Sequence, residues 1–159
     1  AAVDVVRRAC DLCVQVQKSL SLSDGNVVQK MDRTPVTIAD FGVQALVSLE
    51  LGKEFPSIPL VAEEDSGFVQ RNNLAEAVAK VVRENSILTY QELSHGSILK
   101  AIDRGGKDAS SFGSEPATYW ILDPIDGTRG FVKGNKALYV VGLALVVKGE
   151  IVLGVMGCP

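Results

Sequence analysis

Two apolar runs near the C-terminal end, 138–147 and 151–156, flank Lys148-Gly149-Glu150, and this pattern constrains the fold more than any other in the chain. Each run suits a strand, and the glycine-bearing link between them is a hairpin signal. A hairpin joins antiparallel neighbours, so at least part of the sheet is antiparallel. Elsewhere apolar positions recur at helical spacing. Val3, Val6, Cys10, Cys13, Val16 or Gln17, and Leu20 mark a helix over roughly 2–20. Ile38, Phe41, Ala45, Leu46 and Leu49 mark a second, from a Thr37 cap to about Phe55. Leu74, Ala77, Val78, Val81 and Val82 predict a third, and Ile98, Leu99 and Ile102 a shorter fourth. Residues 59–62 and 119–122 read as short strands. Residues 26–37 and 104–117 read as loops, the first of them exposed. The order predicts a layered α/β (α+β) sandwich, with a largely antiparallel sheet flanked by helices rather than a doubly wound parallel fold.

Length and composition narrow the class. The 159 residues, 47% hydrophobic and 22% charged, suffice for one globular domain with a real core. A net charge of −3 argues against a general nucleic-acid-binding face. An acidic chain can still bind an anion where metal ions supply positive charge locally. No apolar stretch approaches the ~20 residues needed to span a membrane. The start carries an early acid, Asp4, lacks a basic segment and lacks Met, so the reading is of a chain beginning inside a longer or processed protein. Three cysteines, Cys10, Cys13 and Cys158, form no disulfide framework and argue for a reducing compartment. Cys10-x-x-Cys13 has no second pair to complete a zinc site, and both residues fall on the apolar stripe of the first helix.

The chemistry concentrates in Asp123-Pro124-Ile125-Asp126-Gly127-Thr128, which follows the strand-like Tyr119-Trp120-Ile121-Leu122. It places two carboxylates and a hydroxyl on a turn at the end of a rigid element. Pro124 restricts that turn, and Gly127 permits a positive φ or close backbone approach. An isolated Asp-x-x-Asp-Gly is usually just a turn. Here it is accompanied by Asp40, opening the second helix, and by Glu63-Glu64-Asp65, following a strand. Carboxylates and backbone carbonyls are the ligands Mg²⁺ prefers, and paired ions activate water for attack on a phosphoester. No Walker phosphate loop or dinucleotide fingerprint occurs, an EF-hand from Asp123 fails at Gly134, and the lone His95 reads as a surface residue.

These motifs carry a resemblance. Trp120–Thr128 resembles the signature of the Mg²⁺-dependent, lithium-sensitive phosphatases that include inositol monophosphatase. Val61-Ala62-Glu63-Glu64-Asp65-Ser66-Gly67 resembles that family's glutamate segment, and Pro35–Asp40 its N-terminal aspartate segment. The sixty-position interval from Glu63 to Asp123, and Ile98–Asp103 within it, resemble the 3′(2′),5′-bisphosphate nucleotidases, especially plant-type members. That resemblance implies hydrolysis of adenosine 3′,5′-bisphosphate, and in some members 3′-phosphoadenylyl sulfate or inositol polyphosphates, with Mg²⁺ as cofactor. It implies Glu63, Asp123 and Asp126 as side-chain metal ligands, Ile125 as a carbonyl ligand, and Asp40 and Thr128 as the groups that orient and deprotonate water. Gly127 and Thr128 amides would hold the substrate phosphate, while Glu64 and Asp65 would lie behind the ligands or face solvent. The implied partner is a small phosphorylated nucleotide, not nucleic acid or membrane, and the implied setting is intracellular: cytoplasm, plastid or mitochondrion. Residues 1–159 would be the N-terminal metal-binding domain, with a C-terminal substrate domain outside this chain. Two alternatives stand beside this reading: an inositol phosphate phosphatase of the same family, and a non-catalytic domain that binds metal or a partner.

Overall fold

Burial of α2 on nearly every side organises the structure. This is a computed structural model, and it describes residues 1–20, 27–29, 35–106, 118–134 and 137–159. Among these described residues, six helices and six strands follow in the order α1 (Ala2–Leu20), β1 (Val27–Gln29), β2 (Pro35–Thr37), α2 (Ile38–Glu54), β3 (Leu60–Val61), α3 (Ser66–Arg71), α4 (Ala75–Asn85), α5 (His95–Gly105), β4 (Thr118–Asp126), α6 (Thr128–Lys133), β5 (Val140–Val147) and β6 (Glu150–Gly157).

Helix α2 is apolar around most of its circumference, as a helix packed on all sides must be. Val43, Leu46, Val47 and Leu51 join α1 and the sheet in one core, while Phe41 and Ala45 join Val69, Val78, Val82, Ile98 and Ile102 in a second. Gly42 lets these layers close: a Cβ there would lie 2.9 Å from Val81 and 3.3 Å from Leu12. In α1 the buried stripe is Val5, Val6, Ala9, Leu12, Cys13 and Val16, while Val3 is 66% exposed. The cysteines are free, and burial pushes the Cys13 thiol up, with Cys10 and Asp40 adding to the effect. Cys13 is thus a small core hydrophobe.

The main sheet runs β3-β4-β5-β6. Strand β3 is parallel to β4, with Leu60 opposite Trp120, and the other two pairings are antiparallel. Helix α1 packs on β5 and β6, α2 on β4, and α5 reaches β3. This is the expected sandwich of helices on a largely antiparallel sheet. The β5–β6 turn consists of Lys148 (φ 51°) and Gly149 (φ 86°), the left-handed pair that a two-residue hairpin requires.

Three expectations change. Within 26–37, residues 27–29 and 35–37 pair as an antiparallel hairpin, because Val27-Val28 and Val36 supply β-branched residues amid the polar ones; the rest of that segment lies outside the described residues, as do 107–117 of the second predicted loop. Helix α3 was not expected; Asp65 starts it by accepting the Gly67 N–H at 2.8 Å. Strand β4 does not stop at Leu122 but runs through Asp126, and α6 follows.

Candidate metal centre

The extension of β4 decides where the carboxylates point. Asp123 pairs with Gly142 and Asp126 with Val140, so three steps on β4 match two on β5. The strand therefore carries one extra residue, a β-bulge. Side chains three apart on a regular strand face opposite ways. The extra residue restores Asp126 to the exposed side with Asp123, while Pro124 and Ile125 are buried. Pro124 lacks an N–H for the ladder, and a bulge is where a strand tolerates that loss.

Asp123 is the group whose surroundings register most clearly. It is exposed by area, yet enough protein crowds its carboxyl for desolvation to raise its pKa, and the charges of Asp126 and Glu63 push it further up. A hydrogen bond from the Ile125 N–H opposes the rise. The structure thus brings Glu63, from the β3–α3 link, within electrostatic reach of Asp123. Among the described residues, no three His, Cys, Asp or Glu side chains are gathered as tightly as a metal cage; Asp123 feels the charges of Asp126 and Glu63 at longer range.

The turn after β4 is built by Gly127, at φ 86° and ψ 38°, with a Cβ position 3.1 Å from the Leu138 carbonyl. Its own carbonyl accepts the Gly130 and Phe131 N–H groups at 2.7 and 3.1 Å. The Gly127 and Thr128 amides precede these first bonds of α6, where helix donors lack intrahelical partners. The Thr128 hydroxyl donates to the Ile125 carbonyl at 3.0 Å. A carbonyl oxygen has a second lone pair, so this bond leaves Ile125 able to serve another partner.

Asp40 lies in the first turn of α2, 5% exposed. Its charge reaches Cys13 on α1, and it is not among the groups that raise Asp123. The structure therefore joins Glu63, Asp123 and Asp126, places Ile125, Gly127 and Thr128 on one turn, and sets Asp40 deeper. Glu64 is buried rather than solvent-facing, at 4% exposure, and Asp65 is a helix cap. His95 is on the surface as expected, paired with Glu76.

Sequence reasoning gave no role to two residues that hold the Glu63 segment. Gln44 donates to the Glu64 and Ile102 carbonyls, both at 2.7 Å, and accepts the Glu64 N–H at 2.8 Å. Asp103 accepts from the Ser66 N–H at 2.8 Å and the Ser66 hydroxyl at 2.7 Å. The available signal was polar: Gln44 interrupts an apolar helix one turn after Asp40, and Asp103 follows the last apolar position of α5.

Comparison with known proteins adds the following. A family model described as inositol monophosphatase family matches residues 5–159. The chain is 66% identical over 158 residues to a putative mitochondrial 3′(2′),5′-bisphosphate nucleotidase of Arabidopsis thaliana, covering 99% of this chain and 40% of that protein. It is 45% identical to 3′,5′-bisphosphate nucleotidase 2 of the same plant, covering 100% of this chain and 46% of the relative. A 3′(2′),5′-bisphosphate nucleotidase of Oryza sativa is 42% identical, with 45% of its length covered. The chain thus spans less than half the length of these relatives. Among solved structures, Thermotoga maritima IMPase matches 99% of this chain and 42% of its own at a TM-score of 0.60 and 23% identity, a likeness of fold.

Proposed function

The chain belongs to the inositol monophosphatase family, and from that premise we propose that the whole protein is a Mg²⁺-dependent 3′(2′),5′-bisphosphate nucleotidase. Its reaction is hydrolysis of the 3′-phosphate of adenosine 3′,5′-bisphosphate, and of 3′-phosphoadenylyl sulfate, releasing phosphate and, from the bisphosphate, AMP. The names of the plant relatives support the substrate class. The observation that carries the reading is the β4 bulge, which turns Asp123 and Asp126 to one side, with Asp123 within reach of the charge of Glu63.

The donor set fits a hard divalent cation. Glu63, Asp123, Asp126 and the Ile125 carbonyl are all oxygen donors, the chemistry Mg²⁺ selects. The charges of Asp126 and Glu63 disfavour a charge on Asp123, and a cation bound among them would relieve that repulsion. Bound there, Mg²⁺ supplies Lewis acidity and lowers the pKa of water. Asp40 would accept the proton of the attacking water, with the Thr128 hydroxyl orienting that water and relaying the proton. Gly127 and Thr128 amides hold the phosphate by pointing consecutive N–H groups at it. Residues 1–159 form the metal-binding domain in this reading, and the nucleoside contacts lie in the further length that the relatives possess. Lithium sensitivity and a place in sulfur metabolism belong to the same proposal. So does a mitochondrial location, supported by the name of one relative. No described helix is long and apolar enough to cross a membrane.

The test is phosphate release from adenosine 3′,5′-bisphosphate by the full-length protein, with inositol phosphates measured alongside. Mg²⁺-dependent turnover that prefers the nucleotide and is lost in Asp123→Asn is expected. Undiminished activity in Asp123→Asn would sink the assignment, and preference for inositol phosphates would redirect it.

A further inference from the structure

Strand β3 ends at Val61, and the chain from Ala62 to Ser66 crosses to α3 with its described polar contacts directed at helices. The Ala62 N–H donates to the Gly105 carbonyl at 2.6 Å, and Ser66 is held by Asp103. Gly106 lies so close that a Cβ there would sit 1.9 Å from the Glu64 carbonyl oxygen. At the centre of this segment both backbone groups of Glu64 are taken by one side chain, Gln44.

Gln44 is 0% exposed. Its second N–H goes to the Ile102 carbonyl on α5, so both of its donors are spent on carbonyl groups. The amide thereby acts as a three-way tie between α2, the glutamate segment and α5. Asp40 stands one turn earlier on α2, at the i, i+4 spacing that puts two side chains on one helix face. One rigid turn therefore carries both the acid proposed to orient water and the clamp on the residue next to Glu63.

We propose that Gln44 is a positioning residue of the metal centre: by pinning the Glu64 backbone to α2, it sets the Glu63 carboxylate against Asp123 and Asp126. The inference rests on the reading of those three acids as metal ligands. An aliphatic side chain would fill the same volume without the burden of a buried amide. Residues that orient ligands from behind typically govern metal affinity by about 10- to 100-fold.

The experiment is calorimetric titration of Mg²⁺ into the full-length protein, its Gln44→Met variant and Ser48→Ala as a control. Ser48 lies one turn further along α2, buried, and its Oγ has no hydrogen-bond partner among the described residues, Glu64 included. The expected result is Mg²⁺ affinity weakened about tenfold or more in folded Gln44→Met. Ser48→Ala should stay within about twofold of the parent, and KM for adenosine 3′,5′-bisphosphate at saturating Mg²⁺ should change by less than about twofold. Unchanged Mg²⁺ affinity in Gln44→Met would overturn the proposal. If that variant does not fold, Gln44→Asn keeps the amide but is one methylene too short to span Glu64 and Ile102, and it is scored identically. A parent protein that binds Mg²⁺ yet releases no phosphate overturns the nucleotidase reading and leaves the clamp measurable; one that binds no Mg²⁺ overturns both.

Discussion

Arg104 crosses α2 directly over Gly52: a Cβ at Gly52 would lie 1.6 Å from Nη1 of Arg104. The guanidinium donates to the Ser48 carbonyl at 3.0 Å and to the Ile58 carbonyl at 3.1 Å, tying α5 to α2 and to the approach to β3. Gly52→Ala is expected to displace the arginine and destabilise the fold by about 1–3 kcal/mol, the range for losing bonds to a charged donor. In an Arg104→Ala background the same change should stabilise by up to about 1 kcal/mol, because alanine is the better helix former. A denaturant double-mutant cycle checks this, and additive effects would contradict the geometry.

Gly127 predicts a local effect with a functional readout. At φ 86° a side chain costs about 1–2 kcal/mol, and the Leu138 carbonyl leaves little room to relax. Gly127→Ala should therefore lower stability by that amount and shift the Ile125–Thr128 hydrogen bond. If this turn holds the phosphate, kcat/KM falls about 10- to 100-fold. A variant with the stability loss but full activity would remove Gly127 and Thr128 from substrate binding.

Helices α1, α2, α4 and α5 were legible because their apolar spacing is long and regular, and the hairpin because Lys148-Gly149 supplies its own turn chemistry. The β4 bulge was not legible. Asp123-Pro124-Ile125-Asp126 reads as a turn by composition, and only pairing with Gly142 and Val140 keeps it in the sheet. The carboxylates themselves stood out by lying at the ends or starts of apolar elements, and the resemblance of their motifs supplied their separate roles. Gln44 and Asp103 were missed because their partners in the glutamate segment lie 20 and 37 residues away, and such partners leave no local pattern. Helix α3, at six residues, is too short for a periodic signal.

Glu92 makes a pH prediction away from the site. Hydrogen bonds from the Lys53 ammonium, then from the Thr89 N–H and hydroxyl, lower its pKa from 4.5 to about 2. A folded pKa below the unfolded one gives stability that is complete above the unfolded value and lost as pH falls through the folded value. The stability difference between the parent and Glu92→Gln should thus be constant above pH 4.5 and disappear on descent to about 2. Carboxyl NMR titration should place the midpoint well below 4.5, and Lys53→Met should move it up. A midpoint at the ordinary value would refute the arrangement.

Asp123 should change the sign of its contribution with metal. Without Mg²⁺ its charge is disfavoured by burial and by Asp126 and Glu63. Asp123→Asn removes that repulsion and should leave the metal-free full-length protein as stable as the parent, or more stable by no more than about 1 kcal/mol, since the carboxyl is solvent-screened. Mg²⁺ at about 100 times its Kd should then stabilise the parent by about 2.7 kcal/mol and the variant by much less. Thermal unfolding with and without Mg²⁺ reads both arms. The crossing of the two stabilities is the expected result, because a carboxylate kept for binding a cation is a liability to the fold until the cation arrives. A variant that is less stable than the parent in both conditions by the same amount would mean that Asp123 serves the fold of the β4 bulge and not a metal.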